Sequence, residues 1–311
     1  MYSNYEKMQQ TQGGKMTTTP KRIISGYGDN LSLLPLNDSD DWSIRFSYPD
    51  RPLHNLQAET VIALKNMYAL HKEPINLLYS GGIDSEYIAY SLLAARIPCN
   101  LVTFQFKDLL NNHDISYVEK FKKKNAALTY ESRVIDIEDF FNSGEAFEYA
   151  EKTKATLPHI LPLMKMIDLL AERVLVIAAG EPFLIPHNGR WCLRERESVA
   201  ALWRFGELKK INGSVSFLQH TPEIFFSYLA DPIYQQLCSG GRPGKQHSLT
   251  SRIDIYNNGY ELENRVKYHG YEKLQLLLGA MEEELKKRYP LHTREAYFDY
   301  FDLLARAGVS N

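Results

Sequence analysis

The chain has 311 residues, 44% hydrophobic and 24% charged, with 36 Lys plus Arg against 38 Asp plus Glu and a formal net charge of −2. That balance suits one large soluble domain, or one domain with an appendage, rather than a disordered or membrane chain. Near-neutral charge argues against nucleic acid as the main partner, leaving room only for a local basic patch, and the densest apolar run, Val174–Ala179, is strand-sized rather than membrane-spanning.

Residues 1–20 are polar, lack the apolar core of a signal peptide and read as a disordered lead. Residues 21–70 carry two short strands, RIIS and WSIRFSY, around the polar NDSDD. A helix follows from Leu56 to Leu70, where Val61, Ile62, Leu64 and Met67 keep a 3.6-residue rhythm. An alternation then begins. Ile75–Tyr79, Asn100–Phe106, Ser132–Ile137 and the run RVLVIAAG read as strands; Glu86–Ala95, Ile115–Ala127, EDFFNSGEAFEYAEKTK and HILPLMKMIDLLAE read as helices between them. Strands alternating with helices imply βαβ crossovers, hence an α/β fold with a doubly wound, mostly parallel sheet over 71–196. Beyond Gly180 the alternation is expected to stop. FLIPHNGRWCLRE reads as a hairpin turning at His187-Asn188-Gly189, and 197–311 as a mainly helical region interrupted by the glycine-rich, basic CSGGRPGKQHS.

Cys99, Cys192 and Cys238 lie far apart with no C-x-x-C pair. A disulfide framework, a zinc site and an iron–sulfur cluster are therefore not expected, and a reducing cytoplasm is the expected home. His159, His187, His220 and His247 show no ligand spacing and read as structural.

The stretch that carries chemistry is INLLYSGGIDSEYIAYSLL, Ile75 to Leu93. It places Ser80-Gly81-Gly82-Ile83-Asp84-Ser85 where a strand becomes a helix. In an open parallel sheet, ligands bind beyond the carboxyl ends of the strands. Two glycines let backbone approach a ligand closely, and the helix start offers unpaired N–H groups and a positive dipole end, which suits phosphate. Ser80 and Ser85 add hydroxyls, and Asp84 can orient the loop or help hold Mg²⁺. The plainer reading is a tight turn in which Asp84 or Ser85 caps the helix. The spacing matches neither the G-x-x-x-x-G-K-[ST] loop nor the dinucleotide G-x-G-x-x-G.

The hexapeptide resembles the PP-loop of the N-type ATP pyrophosphatases, the adenine nucleotide alpha hydrolase superfamily that includes asparagine synthetases, GMP and NAD synthetases and tRNA-lysidine synthetases. The resemblance covers the motif and, in architecture, the βαβ run to about Glu181. It implies a Rossmann-like domain that binds ATP with Mg²⁺, grips the pyrophosphate part at Ser80–Ser85 and cleaves between the α and β phosphates. It further implies adenosine contacts, partly through backbone, at Thr103, Phe104 and Gln105. Gly180-Glu181 is similar to the Gly-Glu of asparagine synthetases, which makes Gly180 a nucleotide contact and Glu181 a Mg²⁺ or amine ligand; plain surface is the other reading. The Asp-Glu pair that completes that pattern is missing. Members also fold a basic residue back onto the leaving pyrophosphate. Arg242, Lys245, Arg265 and Lys267 are the candidates, with Arg265 and Lys267 taken beside Asp84 as catalytic; Arg190, Arg194 and Arg196 form a further cationic cluster, and solvated surface is the alternative for each.

Tyr2 stands where glutamine-dependent members carry a catalytic Cys, and no glutaminase domain fits before Ile75. Nitrogen, where it is transferred, then comes from ammonia, a substrate amine or a separate ammonia-donating subunit. The expected activity is ATP-dependent adenylation of a small carboxylate or amide for attack by an amine. The alternatives are a non-catalytic nucleotide-binding module, a subunit active only in a complex, or a tRNA- or nucleobase-modifying enzyme of the same superfamily.

Overall fold

The computed structural model describes residues 23–27, 42–239, 249–257, 259–265 and 270–309, with side chains from 42 onward except at 249–251. An antiparallel pair, β1 (Ile23–Tyr27) and β2 (Trp42–Phe46), comes first. Helix α1 (Leu56–His71) starts at Asn55, whose side chain accepts from the Ala58 N–H at 2.9 Å, and ends at Lys72 in the left-handed conformation. Then follow β3 (Ile75–Leu78), α2 (Ile83–Ala95), β4 (Cys99–Phe106), α3 (Asn112–Lys124) and β5 (Thr129–Ile135). Three helices, α4 (Ile137–Asn142), α5 (Glu145–Thr153) and α6 (Leu161–Asp168), lead to β6 (Leu175–Ile177). The hairpin β7 (Leu184–His187) and β8 (Arg190–Arg196) is followed by α7 (Glu197–Leu208) and β9 (Gly213–Ser214). Last come α8 (Pro222–Leu229), α9 (Pro232–Ser239), α10 (Leu249–Asn257), α11 (Gln275–Arg288), β10 (Glu295–Asp299) and α12 (Tyr300–Arg306).

The fold is α/β. A parallel sheet runs in the order β5–β4–β3–β6–β9, with β3 at its centre. Every residue of β3 and β6 is buried, as a strand covered on both faces must be. The chain builds outward from β3 through β4 to β5, then crosses back to β6 and β9 on the other side. The order reverses beside β3, and by the rule that parallel crossovers are right-handed, connections leaving in opposite directions place their helices on opposite faces.

Contrary to expectation, the alternation does not stop at Gly180. After the hairpin and α7, β9 returns to pair in parallel with β6, Leu175 opposite Gly213 and Val176 opposite Ser214. The approach is tight: Gly213 has φ +108°, and a Cβ there would lie 2.1 Å from the Leu175 carbonyl oxygen. The hairpin turns at Asn188 and Gly189, with φ 49° and 77°, the pair of positive angles a two-residue primed turn requires. β10, inside a region read as helical, pairs antiparallel with β8 and makes a three-stranded sheet. No helix among the described residues is long and apolar enough to cross a membrane.

Candidate functional site

The Ser80–Ser85 turn stands at the carboxyl end of the central strand, at the point where the strand order reverses. Pairing continues one residue past β3, the Tyr79 N–H donating to the Val102 carbonyl at 2.8 Å. The Thr103 hydroxyl donates to the Tyr79 carbonyl at 2.8 Å and fixes the exit of the strand. Gly81 then takes φ +79°, where a Cβ would stand 2.2 Å from the Asp114 carbonyl oxygen. Its lack of a side chain is dictated by the turn and by the start of α3. Gly82 differs. Its φ of −76° and ψ of 159° are open to any residue, and the only described atom within 4 Å of a Cβ built there is Ser80 Oγ, at 3.3 Å.

Helix α2 is Ala- and Leu-rich, free of Gly and Pro, and buried nearly all round. It starts at Gly82 without a side-chain cap, as α3, α5, α6, α7 and α11 also do, whereas α1, α4, α8 and α12 are capped by Asn55, Asp136, Thr221 and Asp299. The first-turn N–H groups of Ile83, Asp84 and Ser85 therefore face the turn as a set of donors. The serines shape it: Gly82 N–H donates to Ser80 Oγ at 3.3 Å, Ser85 Oγ donates to the Gly82 carbonyl at 2.9 Å, and the two hydroxyls are 3.3 Å apart. Neither Asp84 nor Ser85 caps the helix.

Two acidic residues, Asp84 and Glu86, lie in that first turn, and each is met by an arginine from the last third of the chain. Arg252 of α10 bonds to Glu181 Oε1 at 2.9 Å and lies 3.4 Å from Asp84 Oδ2, while the Tyr256 hydroxyl donates to Asp84 Oδ1 at 2.7 Å. Burial alone would lower the Arg252 pKa, but Asp84 and then Glu181 outweigh it and raise the value, so the guanidinium stays charged. Arg265 donates to the Gly81 carbonyl at 2.8 Å, to Glu86 Oε2 at 2.5 Å and to the Glu263 carbonyl at 3.1 Å, and its guanidinium covers the Tyr117 ring at 4.3 Å. All three of its nitrogens are engaged inside the protein, which places it beneath the loop as a support.

Asp84 and Glu181 come together across adjacent strand ends, β3 and β6, through Arg252. Phe104 and Thr103 are buried in β4 and Gln105 is half-buried. The Phe104 carbonyl accepts from the Asn111 side chain at 2.9 Å. Gly180 has φ +89°, and a Cβ there would lie 2.3 Å from Ser216 Oγ and 2.9 Å from Gln219 Cγ; close packing against the segment after β9 accounts for this glycine. Lys267, Arg242, Lys245 and His247 lie outside the described residues. Arg190 and Arg194 pair with Asp299 and Glu295 of β10; burial, then Arg194, lowers the Arg196 pKa. The three cysteines are buried and free, and burial pushes the Cys99 thiol up to about 11 and Cys238 up to about 12. Among the described residues no three or more His, Cys, Asp or Glu gather as a metal-binding group.

Sequence reasoning does not reach Arg252 and Tyr256. Nothing local marks them, since Arg252 is 168 residues from its partner Asp84; an Arg and a Tyr four apart on a helix is the one available signal, and it is weak.

No family model and no curated protein matches the chain. Among solved structures, the NMN synthetase of Francisella tularensis is similar over 68% of this chain and 98% of its own length, at 14% identity and a TM-score of 0.31.

Proposed function

We propose that the chain is an ATP-dependent enzyme of the PP-loop kind, holding the β and γ phosphates in the Ser80–Ser85 turn and directing cleavage to the α–β bond. The observation that carries this reading is the uncapped start of the 13-residue α2, at the switch point of the sheet, beside a Gly82 whose missing side chain the described fold does not itself require. A phosphate would accept from the first-turn N–H groups and from the Ser80 hydroxyl, and from Ser85 once its hydroxyl turns away from the Gly82 carbonyl, and a side chain at position 82 would stand in its way.

Asp84 and Glu181 fit Mg²⁺, which takes one or two protein carboxylates together with substrate phosphates and waters rather than a full protein cage. Bound there, the ion would supply charge neutralisation for the departing pyrophosphate. Arg265 acts as a positioning residue through Gly81 and Glu86. Lys267 is proposed as the cation that meets the leaving pyrophosphate, and Gln105 and the end of β4 as the adenosine side. The substrate is a small carboxylate or amide, attacked after activation by an amine or ammonia from solution or from a separate subunit. The protein's share is alignment of the nucleophile with the α-phosphorus and stabilisation of charge on the leaving group.

The test is product identity. Wild-type protein incubated with α-labelled ATP, Mg²⁺ and a pool of carboxylates, amides and amines should release AMP and pyrophosphate. Asp84→Asn should retain the fold and turn over more slowly. ADP and orthophosphate as primary products would overturn the mechanism. ATP binding without turnover across such a screen would instead support a nucleotide-binding module.

A further inference from the structure

The residues of the first turn of α2 are deeply buried for the mouth of a phosphate site: Asp84 is 6% exposed, Ser85 3% and Glu86 7%. Part of the cover is α10. Its Arg252, with a side chain 16% exposed, reaches the gap between Asp84 and Glu181 and contacts both carboxylates through one nitrogen. Four residues on, Tyr256 donates to the other oxygen of Asp84 and is held by its own ring, stacked on Tyr87 at 4.4 Å and edge-on to Tyr228 at 5.9 Å. Each oxygen of Asp84 thus faces a donor from the same helix. The guanidinium sits where a divalent cation bridging the two carboxylates would sit, and the two cannot share the gap.

We propose that α10 is a latch, with Arg252 the built-in counter-ion of the Asp84–Glu181 pair, so that a divalent cation enters only by displacing it. This rests on the PP-loop reading for the second half of the exchange, in which nucleotide phosphates accept the released guanidinium. A cation arriving alone strips a partly buried arginine of both partners, which is costly. One arriving with nucleotide brings phosphate oxygens that pair with arginine as well as carboxylates do. Cation and nucleotide binding are thereby coupled, and the site does not load with metal by itself.

The probe is Mn²⁺ alone, titrated calorimetrically into wild type, Arg252→Gln and Tyr256→Phe, with Arg190→Gln as a control at the exposed Asp299 pair. Arg252→Gln should bind Mn²⁺ tighter by about tenfold or more, the scale of one lost charge contact in a partly buried site. Tyr256→Phe, which keeps the ring stack and removes one donor, should shift the same way by less, and Arg190→Gln should match wild type. ATP should raise Mn²⁺ affinity in wild type and do so less in Arg252→Gln. Equal or weaker Mn²⁺ binding by Arg252→Gln would overturn the latch. Should that variant not fold, unchanged or weaker binding by Tyr256→Phe would do the same. Tighter Mn²⁺ binding by Arg252→Gln in a protein that ignores ATP would keep the counter-ion and refute the nucleotide reading.

Discussion

Gly81 and Gly82 are adjacent and identical in sequence, yet the structure asks different things of them. A Cβ on Gly81 meets the Asp114 carbonyl at 2.2 Å on a backbone at φ +79°, whereas one on Gly82 meets only Ser80 Oγ, at 3.3 Å, on ordinary extended backbone. Gly81→Ala should therefore lower stability by at least about 1–3 kcal/mol, the range for left-handed strain before the clash is added. Gly82→Ala should stay within about 0.5 kcal/mol of wild type. Thermal or denaturant unfolding of the two variants tests this, and equal losses would show that the turn needs both glycines for folding. The sequence marks the pair as a candidate cradle. It did not reveal which glycine the fold consumes, because the atom that decides lies on α3. Asp84 is a similar case: its place in the turn was readable, its partners Arg252 and Tyr256 were not.

Among the elements, the joint between β2 and α1 is pinned by one buried carboxylate. Glu59, with a side chain 1% exposed, accepts both arms of Arg51 at 2.7 and 2.5 Å and the backbone N–H of His54 at 2.8 Å. Burial alone would raise its pKa, but the Arg51 fork and then His54 outweigh it and hold the carboxyl below the ordinary 4.5. A carboxyl depressed on folding contributes stability above its unfolded value and loses it as pH falls through the folded one. This joint should be at full strength at neutral pH and weaken on acidification below 4.5. Glu59→Gln should be less stable at neutral pH by about 1–3 kcal/mol and show a shallower fall on acidification. Parallel pH–stability curves for the two proteins would contradict the assignment. The helix α1 was legible from its 3.6-residue rhythm, and β3, α2 and β4 from the alternation of strand and helix patterns. The strand β9 was not, because two residues carry no alternation, and β10 was not, because Glu-Ala-Tyr-Phe-Asp becomes a strand only through its pairing with β8.

On the scale of the whole molecule, the last third of the chain is part of the site. Arg252 and Arg265 reach the first turn of α2 from 168 and 179 residues away, and the Tyr300 hydroxyl donates to the Leu229 carbonyl at 2.7 Å, tying α12 to α8. The strand order β5–β4–β3–β6–β9 puts the glycine-rich turn between β3 and α2 at the reversal, and the two arginines balance the acidic residues beside it. The proposed function makes this turn a pyrophosphate cradle. Its most direct test is calorimetric titration of Mg²⁺·ATP into folded wild type and Gly82→Val, with inorganic pyrophosphate as competitor. Wild type should bind ATP and lose it to pyrophosphate, while Gly82→Val, with a branched side chain in the phosphate space, should bind neither. Equal ATP affinity in the two proteins, or ATP binding indifferent to pyrophosphate, would contradict it.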